Sequence, residues 1–149
     1  QQCASNHLAR IEENSLKLRY SNAGHNFPVV YRAGGERVTL ECGGTVVGIL
    51  EAARFEEGEI ELAAGDRVVL YTDGISEAAR ADGEQFGEDR LNELVAALPA
   101  ELSAREVTER ILGGVRAFLG EMEPGDDMTL LVLRVTDAPA SAAGGMPQP

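Results

Sequence analysis

The chain has 149 residues, of which 44% are hydrophobic, and its formal net charge at pH 7 is −12. That length suits one domain with a buried core, and the hydrophobic share argues against disorder throughout. The acidic excess would repel nucleic-acid phosphates and anionic lipid, because no run of basic residues offsets it. We therefore expect proteins or cations as partners, and no nucleic acid.

Two further absences narrow the class of protein. No apolar run approaches the roughly 20 residues that a membrane span needs, and no signal segment opens the chain. We therefore expect no membrane span and a cytoplasmic location. Cys3 and Cys42 lack the spacing of metal ligands, which favours buried free thiols. Because the sequence begins at Gln1 rather than Met, we interpret it as starting inside a larger protein.

The first half of the chain has β-strand patterns. Residues 7–12 and 16–20 alternate apolar and polar side chains, which predicts a hairpin with one buried face. After a polar loop, residues 28–32 and 37–41 predict a second hairpin with glycines in its turn. Further short strands are predicted at residues 46–47, 54–56, 59–62 and 67–72, so that at least six strands precede any helix.

The second half changes to helical spacing. Residues 89–98 place apolar side chains on one face, and Ser103 with Glu106 fits a capping box at the start of a second helix that Gly120 ends. Residues 128–135 are apolar at nearly every position, as expected of a central strand buried on both faces. Residues 136–149 lack large apolar side chains, and we expect a disordered tail.

Carboxylates stand at the ends of two of these apolar runs. Asp73 directly follows the strand predicted at 67–72, while Asp126 and Asp127 directly precede the final strand. If the two strands are antiparallel neighbours, their carboxylates meet at one edge of the sheet, where oxygen ligands suit a hard cation. The alternative is that Asp73 with Gly74 forms only a turn, which is the usual role of an Asp-Gly pair after a strand.

Four segments occur in an order that resembles the SpoIIE/RsbU-type serine phosphatases, a branch of the PPM (type-2C, metal-dependent) protein phosphatase family. They are Asn-Ala-Gly-His-Asn-Phe-Pro at 22–28, Gly-Asp-Arg-Val-Val-Leu-Tyr-Thr-Asp-Gly-Ile-Ser-Glu-Ala at 65–78, Phe-Gly at 86–87 and Asp-Asp-Met-Thr-Leu-Leu-Val at 126–132. The resemblance runs from about residue 5 to residue 135. It implies an α+β fold, the αββα sandwich, of which residues 1–135 would be the C-terminal part.

The resemblance also implies an activity. Members of this family hydrolyse phosphoserine or phosphothreonine in proteins with two Mn²⁺ or Mg²⁺ ions, and the nucleophile is a metal-activated water rather than a side chain. By match to the family pattern, Asp73 and Asp126 carry over as metal ligands. Paired hard cations lower the pKa of a water and neutralise charge on the phosphoryl group.

Four other residues are candidate supporting residues. Gly74 allows a sharp turn beside the metals, and Asp127 either belongs to the ligand pair or caps the turn before the last strand. Glu77 either pairs with a cation or an ordered water, or is a solvated carboxylate at a helix start. His25 has the chemistry of a general acid, but a hydrogen-bonded loop at 22–26 explains the same segment and is the favoured interpretation.

The chain departs from the family pattern at one point. The family has an upstream Gly-Asp-Val-x-Gly-His-Gly-like segment whose Asp bridges both metals, and nothing here matches it. We therefore expect the parent domain to be a protein serine/threonine phosphatase and this chain alone to be inactive. An incomplete sandwich would expose an apolar sheet face and open strand edges, which predicts a homodimer.

The resemblance suggests a partner as well. The substrate would be a phosphorylated regulatory protein, anti-anti-sigma-like, in a bacterial signalling or sigma-factor partner-switching pathway. The alternative function is a non-catalytic interaction module, a degenerate phosphatase remnant that keeps the surface but not the complete metal centre.

Overall fold

Eight strands and three helices build the part of the chain that the computed structural model describes, which is residues 5–12, 15–50 and 52–136. Their order is β1 (Asn6–Glu12), β2 (Lys17–Ala23), β3 (Val29–Tyr31), β4 (Arg37–Thr39), β5 (Gly43–Gly44), β6 (Gly58–Glu61), β7 (Arg67–Tyr71), α1 (Asp73–Ser76), α2 (Glu88–Ala96), α3 (Ala104–Leu119) and β8 (Leu130–Arg134). The strands form two four-stranded sheets.

The first sheet is built around the predicted hairpin of β1 and β2, which the structure confirms. Strand β6 pairs antiparallel with the first half of β2, and β5 pairs parallel with its last two residues. The alternation of side chains explains its two faces, because Leu18 and Tyr20 point into the protein while Lys17 and Arg19 face out and pair with Glu59. The outer face is therefore partly charged.

The second sheet has the order β4-β3-β7-β8 and is antiparallel throughout. It contains the second predicted hairpin, β3 with β4, which is also confirmed. The strand predicted at 67–72 is β7, and it lies between β3 and β8. Val68 and Val69 of β7 are almost completely buried on opposite faces, as expected for a strand with layers on both sides.

Two apolar clusters hold three layers together. One lies between the sheets and includes Leu18, Val30 and Val68, and the other lies between the second sheet and the helices and includes Val69 and Ile111. The described residues thus supply a sheet, a second sheet and a helical layer, which is the α+β arrangement that the sequence predicted. None of their helices is long and apolar enough to cross a membrane.

The helices begin and end close to where the sequence predicts. Helix α3 starts with the predicted capping box, in which Glu106 N–H donates to Ser103 Oγ over 3.2 Å and Ser103 N–H donates to Glu106 Oε2 over 2.8 Å. Gly120 ends it with φ of +64°, a conformation that glycine adopts without strain. Helix α1, of four residues, was not predicted.

The last strand differs from its prediction. Within the described residues β8 pairs with β7 alone, and Leu131 is 51% exposed, so β8 is an edge strand rather than a central strand buried on both faces. Its apolar composition suits a strand with two neighbours, but only one neighbour is present here. Together with Leu8, which is 75% exposed on β1, it leaves apolar side chains uncovered at the edges of both sheets.

Two short predicted strands are also wrong. Residues 54–56 belong to no strand, although the amide of Glu56 donates to the carbonyl of Gly43 over 3.1 Å, and the strand in the region of 46–47 consists of Gly43 and Gly44 instead. A Cβ at Gly43 would lie 2.0 Å from the backbone oxygen of Asn22, so only glycine allows this close parallel approach. Cys42 is free and half-buried, whereas Cys3 and the predicted tail beyond Thr136 lie outside the described residues.

Candidate metal centre

The antiparallel pairing of β7 with β8 brings the sequence-predicted aspartates to one edge of the second sheet. Tyr71, the last residue of β7, lies opposite Leu130, the first residue of β8. Asp73 therefore leaves the sheet at the edge where Asp126 and Asp127 approach it. The antiparallel arrangement expected from the sequence is confirmed.

Thr72 joins the two strand ends. Its amide donates to the carbonyl of Thr129 over 3.1 Å, and its hydroxyl accepts from the amide of Thr129 over 2.9 Å. The same hydroxyl donates to the carbonyl of Asp127 over 3.2 Å. These contacts fix the backbone on both sides of the aspartates, so their positions do not depend on a loose loop.

Gly74 permits the close approach of α1 to the start of the last strand. A Cβ at this position would lie 2.4 Å from the carbonyl oxygen of Asp127 and 3.3 Å from that of Asp126. Contacts under 3.0 Å with backbone cannot be relieved by rotating a side chain, so any larger residue would push the two segments apart. The sequence predicted a sharp turn at Gly74; in the structure Gly74 lies within α1, and the close contact rather than a turn requires glycine.

The carboxylates of Asp73 and Asp126 are exposed and similarly held. One oxygen of each accepts the amide of the next residue, over 3.0 Å from Gly74 and over 2.7 Å from Asp127. No protein partner is recorded for their second oxygens among the described residues. The predicted capping of the turn before β8 by Asp127 is not seen, because its carboxylate has no hydrogen bond in that part of the chain, whereas Asp126 accepts only the amide of Asp127.

The donor set is suited to a hard cation but is incomplete in the described part. Carboxylate oxygens are the ligands that Mn²⁺ and Mg²⁺ prefer. Asp73 and Asp126 provide them, with Asp127 beside them. In residues 5–12, 15–50 and 52–136, however, no group of three or more histidine, cysteine, aspartate or glutamate side chains is placed to hold a metal.

Glu77 lies at the end of α1, which corrects the expectation of a carboxylate at a helix start. Its amide donates to the carbonyl of Asp73 over 2.7 Å, and its side chain is exposed. The sequence predicted no bounds for a helix here, because four residues are too few for a helical period to show.

The segment after Glu77 returns to α1 and is anchored to α3. The amide of Gly87 donates to the carbonyl of Ser76 over 2.8 Å, which closes the loop. The guanidinium groups of Arg80 and Arg90 lie 4.2 and 4.6 Å from the centre of the Phe118 ring. Such cation–π contacts stabilise the loop against the helix.

The segment 22–26 consists of the last two residues of β2 and a hydrogen-bonded loop at 24–26, so the loop that the favoured interpretation proposed is shorter than expected. Asn22 is 1% exposed, its amide group donates to the carbonyl of His25 over 2.7 Å, and its side-chain oxygen accepts the amide of His25 over 2.7 Å. Asn26 contacts the hydroxyl of Ser76 over 3.4 Å, so the loop reaches α1. His25 Nδ1 lies 3.3 Å from Ser5 Oγ.

His7 is a residue near this edge that sequence reasoning missed. It lines a cavity of about 310 Å³ together with His25, Tyr71 and Thr72. Its Nδ1 is buried and has no hydrogen-bond partner in the described chain. Burial, and then the charge of His25, lower the pKa of His7. The alternation of side chains along β1 places His7 on the inner face of that strand. That His7 and His25 line the same cavity, however, depends on the fold and cannot be predicted from the alternation.

The other carboxylate that flanks β7 has a structural role. Asp66 is 1% exposed and accepts from Arg32 over 2.6 Å and from the amides of Ala63 and Ala33 over 2.9 and 3.1 Å. Burial alone would raise the pKa of Asp66, but these hydrogen bonds outweigh burial, and the pKa is lowered overall. Asp66 thus ties the β3–β4 hairpin to the turn before β7.

The fold defines a class of protein. It is similar to the PP2C domain of SiaA from Pseudomonas aeruginosa, with a TM-score of 0.76 and 22% identity over 89% of this chain and 52% of that chain. It is also similar to the phosphatase domain of SpoIIE from Bacillus subtilis, in a structure presoaked with Mn, with a TM-score of 0.71 and 18% identity over 91% of this chain and 58% of that chain. The fold is that of PP2C-type phosphatase domains.

The family follows from the sequence match. The model of the family Stage II sporulation protein E (SpoIIE) matches residues 2–136, and the chain belongs to this family. It is 31% identical over 128 residues to phosphoserine phosphatase RsbU of Bacillus subtilis and 27% identical over 124 residues to protein IcfG of Synechocystis. These matches cover 85% and 83% of the chain but only 37% and 19% of the two relatives.

Proposed function

We propose that this chain contributes one edge of the metal centre of a protein serine/threonine phosphatase. The observation that carries the proposal is the pairing of β7 with β8, which holds Asp73 and Asp126 at a shared edge of the sheet. Membership of the SpoIIE family and 31% identity to a protein named phosphoserine phosphatase support the reaction class. The substrate proposed is phosphoserine or phosphothreonine in a protein.

Mn²⁺ or Mg²⁺ is the proposed cofactor. Asp73 and Asp126 would hold it through carboxylate oxygens, and the Mn-presoaked structure of the SpoIIE phosphatase domain supports manganese. Ions bound there would lower the pKa of a water and neutralise phosphoryl charge. Thr72 and Gly74 keep the two aspartates together.

The loop at 22–26 is proposed to support the same edge. Its contact from Asn26 to Ser76 positions α1, which begins at Asp73. His25 remains a candidate general acid, because its imidazole lines the same cavity as Tyr71 and Thr72, beside the site. Its hydrogen bond to Ser5 leaves the other ring nitrogen for that role.

We propose that the complete centre needs carboxylates beyond those of the described residues, and that the chain alone is inactive. Two aspartates can hold one ion with water completing its shell, but a pair of ions needs a bridging carboxylate to offset their repulsion. The proposed substrate is a phosphorylated regulatory protein, anti-anti-sigma-like. The homodimer predicted from uncovered strand edges stays a prediction.

The test is hydrolysis of p-nitrophenyl phosphate with Mn²⁺ by this chain and by a longer protein extended upstream. We expect turnover from the longer protein only. In it, Asp73→Asn and Asp126→Asn should each reduce kcat by on the order of 100-fold or more, because a neutral amide binds a divalent ion far less strongly than a carboxylate. Asp89→Asn, on the exposed side of α2, is the matched control and should retain the activity.

Other outcomes would contradict the proposal. Full activity in both aspartate variants would remove Asp73 and Asp126 from the metal centre. An extended protein without turnover, in the presence of Mn²⁺ or Mg²⁺, would favour the second candidate, a non-catalytic interaction module. The exposure of Leu8 and Leu131 supports this second candidate, because it leaves apolar surface for a protein partner.

A further inference from the structure

A cavity of about 250 Å³ lies at the opposite end of β7 from the aspartates. It is bounded by the β3–β4 hairpin on one side and by the C-terminal end of α2 on the other. Arg67 is the first residue of β7, and six residue steps separate it from Asp73, which corresponds to about 20 Å along a strand. The cavity is therefore separate from the candidate metal centre.

Three arginines from different parts of the sequence line this cavity: Arg32, Arg37 and Arg67. They come from the end of β3, the start of β4 and the start of β7. The remaining lining is largely apolar, with Val95 and Leu98 from the region of α2. In a chain of net charge −12, this concentration of positive charge is unusual and needs a physical reason.

Arg67 is buried and forms no ion pair with a carboxylate in the part of the chain that the structure describes. It is 5% exposed, and its terminal nitrogens donate to the carbonyls of Leu98 and Pro99, while its Nε has no partner in the described chain. Arg134 lies directly opposite on β8, and its buried Nε is also unpartnered there. Burying a cation is costly unless an anion accompanies it.

The nearby acids do not balance this charge. Asp66 is committed to Arg32 and two backbone amides. Glu36 lines the cavity but is exposed, and within residues 5–12, 15–50 and 52–136 no ion pair is recorded for Arg37 or Arg67. Burial and then the charge of Arg134 lower the pKa of Arg67, and the charge of the exposed Glu101 opposes them only in part, so the pKa is lowered overall.

We propose that this cavity binds a small organic oxyanion, a phosphate monoester or carboxylate with a compact apolar body. The guanidinium of Arg37 would meet the anionic group, since its planar fork matches phosphate and carboxylate oxygens. The apolar body would lie on Val95 and Leu98. A bound ligand would link the β3–β4 hairpin to α2 and stabilise the helical layer against the sheet.

Calorimetric titration of the 149-residue chain, in chelator and without metal, tests this site. Phenyl phosphate, benzoate and inorganic phosphate are the probes, and benzyl alcohol is the neutral control. We expect saturable binding of an aromatic anion, tighter than that of inorganic phosphate, and none of the alcohol. Whichever of phenyl phosphate and benzoate binds more tightly identifies the anionic group.

Arg37→Gln is the decisive variant, because Arg37 is exposed and its loss leaves the core intact. It should weaken binding by on the order of tenfold, the effect of one charged hydrogen bond. Arg54→Gln removes the same charge from an exposed position outside the cavity and should leave the affinity unchanged. Equal weakening by both variants, or no saturable binding of any anion, would overturn the proposal.

Discussion

The two ends of β7 place opposite charges in opposite environments. At one end Asp73 and Asp126, which flank the paired strands, are exposed, and within the described residues one oxygen of each carboxylate accepts no hydrogen bond. At the other end Arg67, opposite Arg134, is buried against backbone carbonyls. An exposed carboxylate costs little to maintain and stays open to a cation, whereas a buried guanidinium must be stabilised by its surroundings. The pairing of β7 with β8 therefore has exposed carboxylates at one end, the acidic end, and buried guanidinium groups at the other, the basic end.

The two aspartates that flank β7 show the same contrast. Asp66 uses both carboxylate oxygens for protein hydrogen bonds, whereas Asp73 uses one for its neighbouring amide. Residue type and distance from the strand therefore do not separate a structural aspartate from a candidate metal ligand. The two differ in how many carboxylate oxygens already accept hydrogen bonds from the protein.

The largest effect is expected from Asp66→Ala, which breaks the basic end. Arg32 and the amides of Ala33 and Ala63 would lose the buried carboxylate that accepts from them, and the free energy of unfolding should fall by about 3 kcal/mol. Urea denaturation measures this. Glu93→Ala removes an exposed carboxylate on α2 and should change stability by no more than about 0.5 kcal/mol. Similar losses in both variants would show that Asp66 has no special structural role.

An intermediate effect is expected from Gly74→Ala at the acidic end. The new Cβ would clash with the carbonyl oxygen of Asp127, and overpacking of this kind costs about 2 kcal/mol. Gly113→Ala in α3 is the matched control, because nothing lies within 4 Å of its Cβ, and it should stabilise the helix by about 0.5 to 1 kcal/mol. Unfolding curves in urea compare the two, and a stabilising Gly74→Ala would contradict the close approach.

The smallest effect is a pH dependence at the acidic end. The lowered pKa of His7 means that the folded protein resists a proton that the unfolded chain accepts near pH about 6.5. Its contribution is therefore fully present above that pH and is lost as the pH falls towards the pKa of the folded state. The chain has only two histidines, so His7→Gln should flatten the stability profile between pH about 7.5 and about 5.5. An unchanged slope would argue against a neutral, half-buried His7 in the folded protein.

Much of the acidic end could be predicted from local sequence. Apolar runs fix β7 and β8, and the carboxylates beside them could be placed together by assuming antiparallel pairing, which the structure confirms. The capping box of α3 was readable for the same reason, because its partners are three residues apart. Short-range patterns carry this information directly.

The basic cavity could not be predicted in this way. Its arginines, at positions 32, 37 and 67, are scattered, and only the pairing of β3 with β4 and β7 brings them together. The edge position of β8 escaped prediction for a related reason, since composition reports how apolar a strand is but not how many neighbours it has. Helix α1 was missed because its four residues show no periodicity.

The hydrogen bonds between Thr72 and Thr129 have a consequence for the order of folding. Its hydroxyl and the amide of Thr129 are 57 positions apart in the chain, so the contact closes a long loop that contains all three described helices. Long loops are entropically expensive to close, and contacts across them tend to form late. The first sheet and the β3–β4 hairpin involve shorter separations. During synthesis, therefore, Asp73 and Asp126 would be brought to the same end of the sheet only after β8 has been made.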